Sequence, residues 1–201
     1  MLKQKLISSD SHIVEPPELW TERMDSRFGD RIPHLVEGDT SDLWHVDLQG
    51  TGTIGGVSGA GLRFENPEAI KLEGKFADVP LGGYDPHEHV KDMDLDGVDV
   101  NVLYPSVGLN LFQTPDQELT RAIFEAYNGW LADFCKSFPD RLKGVAMVLL
   151  DDDVAAGVTE LGRVAKMGLA GAMISVYPTP GQFYDDPRYD PVWATAQDLG
   201  M

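Results

Sequence analysis

Cysteine is almost missing from this 201-residue sequence: Cys135 is the only one, so neither a disulfide framework nor a thiolate zinc cluster can be built from it. On an apolar helix, a lone cysteine reads as a small buried hydrophobe. Basic residues are scarce too, with 16 Lys and Arg against 33 Asp and Glu, for a formal net charge of -17. So acidic a chain is repelled by phosphate backbones and anionic bilayers, which argues against nucleic acid and membrane partners. No apolar run is long enough to span a bilayer, and the start "MLKQKLISSD" carries charge where a signal peptide would carry an apolar core. The expectation is a soluble, cytoplasmic protein with one substantial core.

What is present begins with "LISSDSHIVEPPELW", Leu6 to Trp20, which starts like a strand and ends like a helix. In an extended segment alternate residues share a face, so Leu6, Ser8, Asp10 and His12 are expected to point one way. Pro16 and Pro17 end the strand, because proline fixes its own φ and cannot donate to a ladder. Asp10 and His12 therefore emerge side by side where the strand stops. They are either a metal half-site or a local hydrogen-bonded pair.

Residues 36–84 read as a long excursion: a short alternating strand in "DLWHVDLQG", then the glycine-rich "TGTIGGVSGAGL", then polar segments without a period. So many glycines exclude a helix and make a poor strand. Order returns at "DPHEHVKDMDLDGVDVNVLYPS", with Asp85 as helix cap, Pro86 in first position, Val90, Met93 and Leu95 as the apolar side, and Gly97 as the stop. "VDVNVLY" follows as a strand. Thr114 and Pro115 are expected to open the clearest helix, where Leu119, Ile123, Tyr127, Trp130 and Phe134 recur at helical spacing. "LKGVAMVLL" and "GAMISVYP" read as buried strands around a helix stopped by Gly168, and a last helix is capped by Asp190 and stopped by Gly200. Near-continuous apolar strands alternating with helices mean a parallel sheet covered on both faces. A complete eightfold barrel needs about 250 residues. About four βα units are present, so the whole chain, 1–201, is expected to be a single domain forming the first half of a barrel, with the glycine-rich insertion after its first strand.

Several other signals have plainer readings. His87 and His89 copy an H-x-H pattern, but two residues apart on a helix they face nearly opposite sides and read as surface histidines. His34 and His45 lack partners at ligand spacing. "GTGTIG", Gly50 to Gly55, fits G-x-G-x-x-G, yet "GVSGAGL" cannot supply the helix that would hold a pyrophosphate. Asp151, Asp152 and Asp153 are best read as a cap for the next helix. Glu15 could support the strand-end pair or simply cap, and Tyr104 and Tyr177, at strand ends, could line a pocket. The facing of Asn101 and Ser175 is open.

"SDSHIVEPPELW", "KDMDLDGVDVNVLYPS" and "FPDRLKGVAMVLL" with "GAMISVYP" together resemble the amidohydrolase-related family. This branch of the metal-dependent amidohydrolase superfamily includes aminocarboxymuconate-semialdehyde decarboxylase and the resorcylate decarboxylases. The resemblance covers nearly the whole chain apart from the glycine-rich excursion. It implies a (β/α)8 TIM barrel with one divalent metal, zinc first and manganese second, at the carboxyl-terminal mouth. The family's acidic-or-His, any residue, His motif falls on Asp10 and His12. Its other ligands, a His on the fifth strand and an Asp on the eighth, would lie past Met201. Asp rather than His at position 10 is closer to the decarboxylase members.

The expected function is thus a metal-dependent hydrolase or non-oxidative decarboxylase of a small carboxylated, aromatic-derived substrate, with a slight lean to decarboxylation. The rival from another class is an inactive fragment or a binding module that pairs with itself or with a complementary half through exposed edges. A third reading is a complete small α/β domain in which Asp10 and His12 are structural.

Overall fold

The computed structural model describes residues 5–60, 73–151 and 153–201. Strand β1 (Ile7–His12) leads into helix α1 (Glu18–Arg23) and a 3-10 turn (Ser26–Arg31). Strands β2 (His34–Val36), β3 (Leu43–Val46) and β4 (Gln49–Thr53) form an antiparallel sheet in that order, and a single turn, α2 (Gly55–Ser58), follows. Helix α3 (Pro86–Asp96) delivers β5 (Val100–Tyr104). The short α4 (Gly108–Leu111) and the long α5 (Gln117–Lys136) cross to β6 (Leu142–Met147). Helix α6 (Val154–Lys166) crosses to β7 (Gly171–Met173), and α7 (Asp190–Leu199) comes last. The main sheet is all parallel in the order β1-β5-β6-β7, as the alternation of strands and helices requires.

Local chemistry places the helices where the sequence puts them. Asp85 accepts hydrogen bonds from the His87 and Glu88 amides, and Asp153 from Ala156. Gly97, Gly168 and Gly200 each take a left-handed φ past the helix they end, where a side chain would be strained. Helix α5 buries Leu119, Ile123, Tyr127, Leu131 and Phe134 against the sheet, each contributing about 1.5–3 kcal/mol. A charged residue at Ile123 would break that packing.

Five local expectations are corrected. The cap of α5 is Asp116, not Thr114, because its carboxylate reaches both the Glu118 and Leu119 amides. Asp190 is the first residue of α7 rather than its cap. Leu95 stands 85% exposed on the outer side of α3. "QGTGT" is strand β4 despite its glycines, because β3 supplies a ladder for it. The predicted strand "GAMISVYP" pairs only over Gly171–Met173, and Val176 and Tyr177 lie exposed beyond it. Asp152 and residues 61–72 of the excursion lie outside the described residues.

The largest correction is in β1. Between Ser8 and Ser11 the register slips by one residue against β5: Ser8 pairs with Asn101, yet Ser11 pairs with Leu103 and His12 with Tyr104. Such a bulge re-aims every side chain past it. Ser8 and Ser11 now stand together, with their hydroxyl oxygens 2.8 Å apart, and His12 pairs with Tyr104 at the strand end.

Candidate metal centre

His12 ends β1 at the carboxyl end of the parallel sheet, where barrel enzymes build their sites. Its Nδ1 lies 2.8 Å from the carbonyl oxygen of Pro105, just past β5. A carbonyl can only accept, so Nδ1 carries a proton, and whenever the ring is neutral its lone pair is on Nε2. Asp10 Oδ1 stands 3.7 Å from that Nε2, and the Asp10 side chain is 87% exposed. The Tyr104 ring flanks the imidazole at 6.1 Å between centroids. Metal–oxygen and metal–nitrogen bonds of about 2.0–2.2 Å hold two donors on one ion no more than about 4.3 Å apart. A separation of 3.7 Å fits, and a carboxylate with an imidazole suits zinc or manganese. Among the described residues no group of three or more His, Cys, Asp or Glu converges closely enough to hold an ion. The pair is a half-site.

Behind the pair, Glu15 is fully buried. Its carboxylate accepts from the backbone amides of Ser106 (3.3 Å), Val107 (2.9 Å) and Gly108 (2.9 Å). Burial pushes the Glu15 pKa above the usual carboxylate range, and those N–H bonds pull it partly back. Gly108 leaves room for this turn: a Cβ there would lie 2.7 Å from Pro105 Cβ and 2.8 Å from the Met147 sulfur. The buried Tyr127 phenol is raised well above its ordinary value by burial first, then by Glu15.

The other candidates separate. Tyr177 is 83% exposed. His89 is no surface residue: it is buried, with Nδ1 donating to the Gly82 carbonyl (2.7 Å) and Nε2 accepting from the Asn101 amide (3.0 Å). Together with Ser8, Ser11 and His12 it lines a cavity of about 400 Å³ between β1 and α3. His87 is exposed and packs edge-on against Phe138, so the two histidines do point apart. His34 and His45, expected to lack partners, face each other across β2 and β3 with rings 5.8 Å apart. Gly50 and Gly52 belong to β4, and the helix after them has only four residues, too short to hold a pyrophosphate. Ser175 is bonded to the Tyr184 hydroxyl. Burial pushes the Cys135 thiol up to about 11, so it stays protonated and inert at neutral pH. Sequence reasoning missed the Pro105 carbonyl and the 106–108 amides. Their only signal was "LYPS" following a strand, which names no acceptor or donor.

A four-stranded parallel βα sheet with ligand-type side chains at its carboxyl end is the arrangement of half a (β/α)8 barrel. An amidohydrolase family model matches residues 83–201, more than half of the sequence, and the chain belongs to that family. Over 96 residues it is 34% identical to gamma-resorcylate decarboxylase of Rhodococcus jostii (strain RHA1), a match covering 43% of this chain and 29% of that protein. A solved amidohydrolase from Mycobacterium avium subsp. paratuberculosis K-10 superposes with a TM-score of 0.77 at 21% identity, over 100% of this chain and 57% of that one. A 5-carboxyvanillate decarboxylase from Novosphingobium aromaticivorans DSM 12444, solved with bound manganese and 3-methoxy-4-hydroxy-5-nitrobenzoic acid, gives 0.56 at 19%, over 98% and 49%. The chain thus spans about half the length of these solved structures, which share its fold. No described helix is long and apolar enough to cross a membrane.

Proposed function

We propose that Asp10 and His12 are two ligands of a divalent metal in an amidohydrolase-family enzyme acting on a small, carboxylated aromatic substrate, by decarboxylation rather than hydrolysis. The observation that carries this reading is the His12–Pro105 hydrogen bond, which in the neutral ring turns the Nε2 lone pair outward, 3.7 Å from a carboxylate oxygen at a sheet's carboxyl end. The lean to decarboxylation is supported by the resorcylate and carboxyvanillate decarboxylases among the similar proteins. Manganese in the latter favours that metal over zinc. The chemistry a bound divalent ion supplies is Lewis-acid polarisation of a substrate oxygen or of water. His12 holds its lone pair in place through Pro105, and Asp10 contributes an anionic oxygen on a side chain free to adjust. Tyr104 walls one side of the imidazole. Among the described residues no third His, Cys, Asp or Glu converges on the pair, so further ligands and the proton donor would have to come from elsewhere.

The experiment compares metal content and thermal stability of the chain with those of Asp10→Ala and His12→Ala. Manganese or zinc should raise the melting temperature of the wild type and of neither variant. Equal responses in all three would remove the ligand assignment. A second reading, an association module, is favoured by the exposed Val176, Tyr177 and Phe183 beyond β7. It predicts self-association, unaffected by metal, that Phe183→Ser weakens; sedimentation velocity measures it.

A further inference from the structure

We propose that Glu15 is a positioning residue for His12, acting through the backbone of residues 105–108. The inference rests on the reading of His12 as a donor to a metal, and it extends that reading to what keeps the donor atom available.

The segment 105–108 is gripped at both ends by the same stretch of chain. Its first residue, Pro105, gives the carbonyl that takes the His12 Nδ1 proton. Its next three residues turn their N–H groups onto one carboxylate, that of Glu15. Between the two ends, the Ser106 hydroxyl donates to the Ile13 carbonyl at 2.7 Å, and the Ile13 amide donates to Tyr104 at 3.0 Å. Pro105 has a fixed φ, so its carbonyl cannot swing far unless the residues after it move. Those residues are the ones that Glu15 holds.

Residue type matters here. Three donors are shared between Oε1, which takes Gly108, and Oε2, which takes Ser106 and Val107. Glutamine has one oxygen, and its amide would turn a donor toward a donor. A buried carboxylate is also expensive to keep in a core. A hydrophobic residue of similar size would fill the space and leave the three amides without an acceptor. Glu15 therefore does more than pack: it sets where the Pro105 carbonyl sits, and so which ring nitrogen of His12 carries the proton. If the carbonyl drifts, Nδ1–H loses its acceptor, and the proton can settle on Nε2, the atom that must face the metal.

The test reads the His12 tautomer directly, without metal, by two-bond 1H–15N correlation on the 201-residue chain with 15N-labelled histidine, at a pH where the ring is neutral. In the wild type, His12 should be protonated at Nδ1. In Glu15→Gln the Nε2-protonated fraction should rise several-fold, and the Kd for added Mn2+ alone should rise about tenfold or more, in line with losing a hydrogen-bond partner that orients a ligand. Ile123→Val, which loosens the buried face of α5, should leave both unchanged, separating positioning from general destabilisation. A folded Glu15→Gln with the wild-type tautomer and Mn2+ affinity overturns the proposal. A tautomer shift in Glu15→Gln, with Mn2+ binding equal in wild type and His12→Ala, supports the positioning role and instead removes the ligand reading. Should Glu15→Gln not fold, hydrogen exchange in the wild type decides. Slow Val107 and Gly108 amides support the clamp, and amides that exchange freely overturn it.

Discussion

Replacing Asn128 with alanine should remove a large part of this chain's stability, and the reason lies at the end of a strand. The β5–β6 ladder has its last pair at Leu103 and Gly144, so Met147, three residues further along β6, has no strand on that side to bond. Asn128, fully buried on α5, takes the strand's place. Its Oδ1 accepts from the Met147 amide at 2.8 Å, and its Nδ2 donates to the Met147 carbonyl at 2.9 Å, as a peptide group would. The same Nδ2 donates to Glu160 of α6 at 2.7 Å. Alanine would leave a buried donor and a buried acceptor without partners, at about 1–3 kcal/mol each. A loss of about 4 kcal/mol is expected, from a total that is typically about 5–15 kcal/mol. At this size it corresponds to a fall in Tm of about 8–16 °C. Urea unfolding followed by tryptophan fluorescence measures it. An unchanged m-value with a loss below about 1 kcal/mol would refute the reasoning.

Asn128→Asp sharpens the test. A carboxylate there faces the Met147 carbonyl and Glu160, so the folded state holds a proton on it more tightly than the unfolded chain does. Its folded pKa is raised. The penalty is therefore greatest at neutral pH and shrinks as pH falls toward the usual carboxylate range, where both states are protonated.

Two further outcomes follow from the same kind of accounting. The Tyr127 hydroxyl is buried and finds no hydrogen-bond partner among the described residues. Tyr127→Phe should therefore match or exceed wild-type stability in the same urea assay, whereas Tyr189→Phe, which gives up a bond to Gln182, should lose about 1 kcal/mol. The hydrogen bond from Arg31, with help from the Leu119 and Glu118 amides, holds the Asp116 carboxyl below its ordinary value. The stability it contributes is present above the unfolded pKa and is lost as pH falls through the folded one. Asp116→Asn should make the acid limb of the pH–stability curve shallower, as pH-dependent melts would show.

How much could be read in advance depended on how far each cause lies along the chain. The Asp85-Pro86 start, the Gly97, Gly168 and Gly200 stops and the apolar stripe of α5 are local, acting within a turn or two, and they stand in the structure where the residues put them. The alternation of apolar strands with such helices was enough for a parallel α/β sheet, because a helical crossover returns the chain to run the next strand in the same direction. The pair Asp10 and His12 could likewise be picked out, since nearness at a strand end needs only adjacency in sequence.

What the amino-acid order could not show is which way that pair faces and what holds it. The bulge between Ser8 and Ser11 arises from pairing with β5, more than 90 residues later, and it shifts the register in which His12 meets Tyr104. The proton on Nδ1 depends on a carbonyl 93 residues away, and the acceptor role of Glu15 on amides as distant. His89 left the surface because Gly82 and Asn101 offered its two nitrogens partners. "QGTGT" became a strand because β3 lay beside it. Propensity, capping and period act over a few residues and are carried by the letters themselves. Register, burial and hydrogen-bond partnership come from segments distant in the chain, and they exist only once the chain has folded.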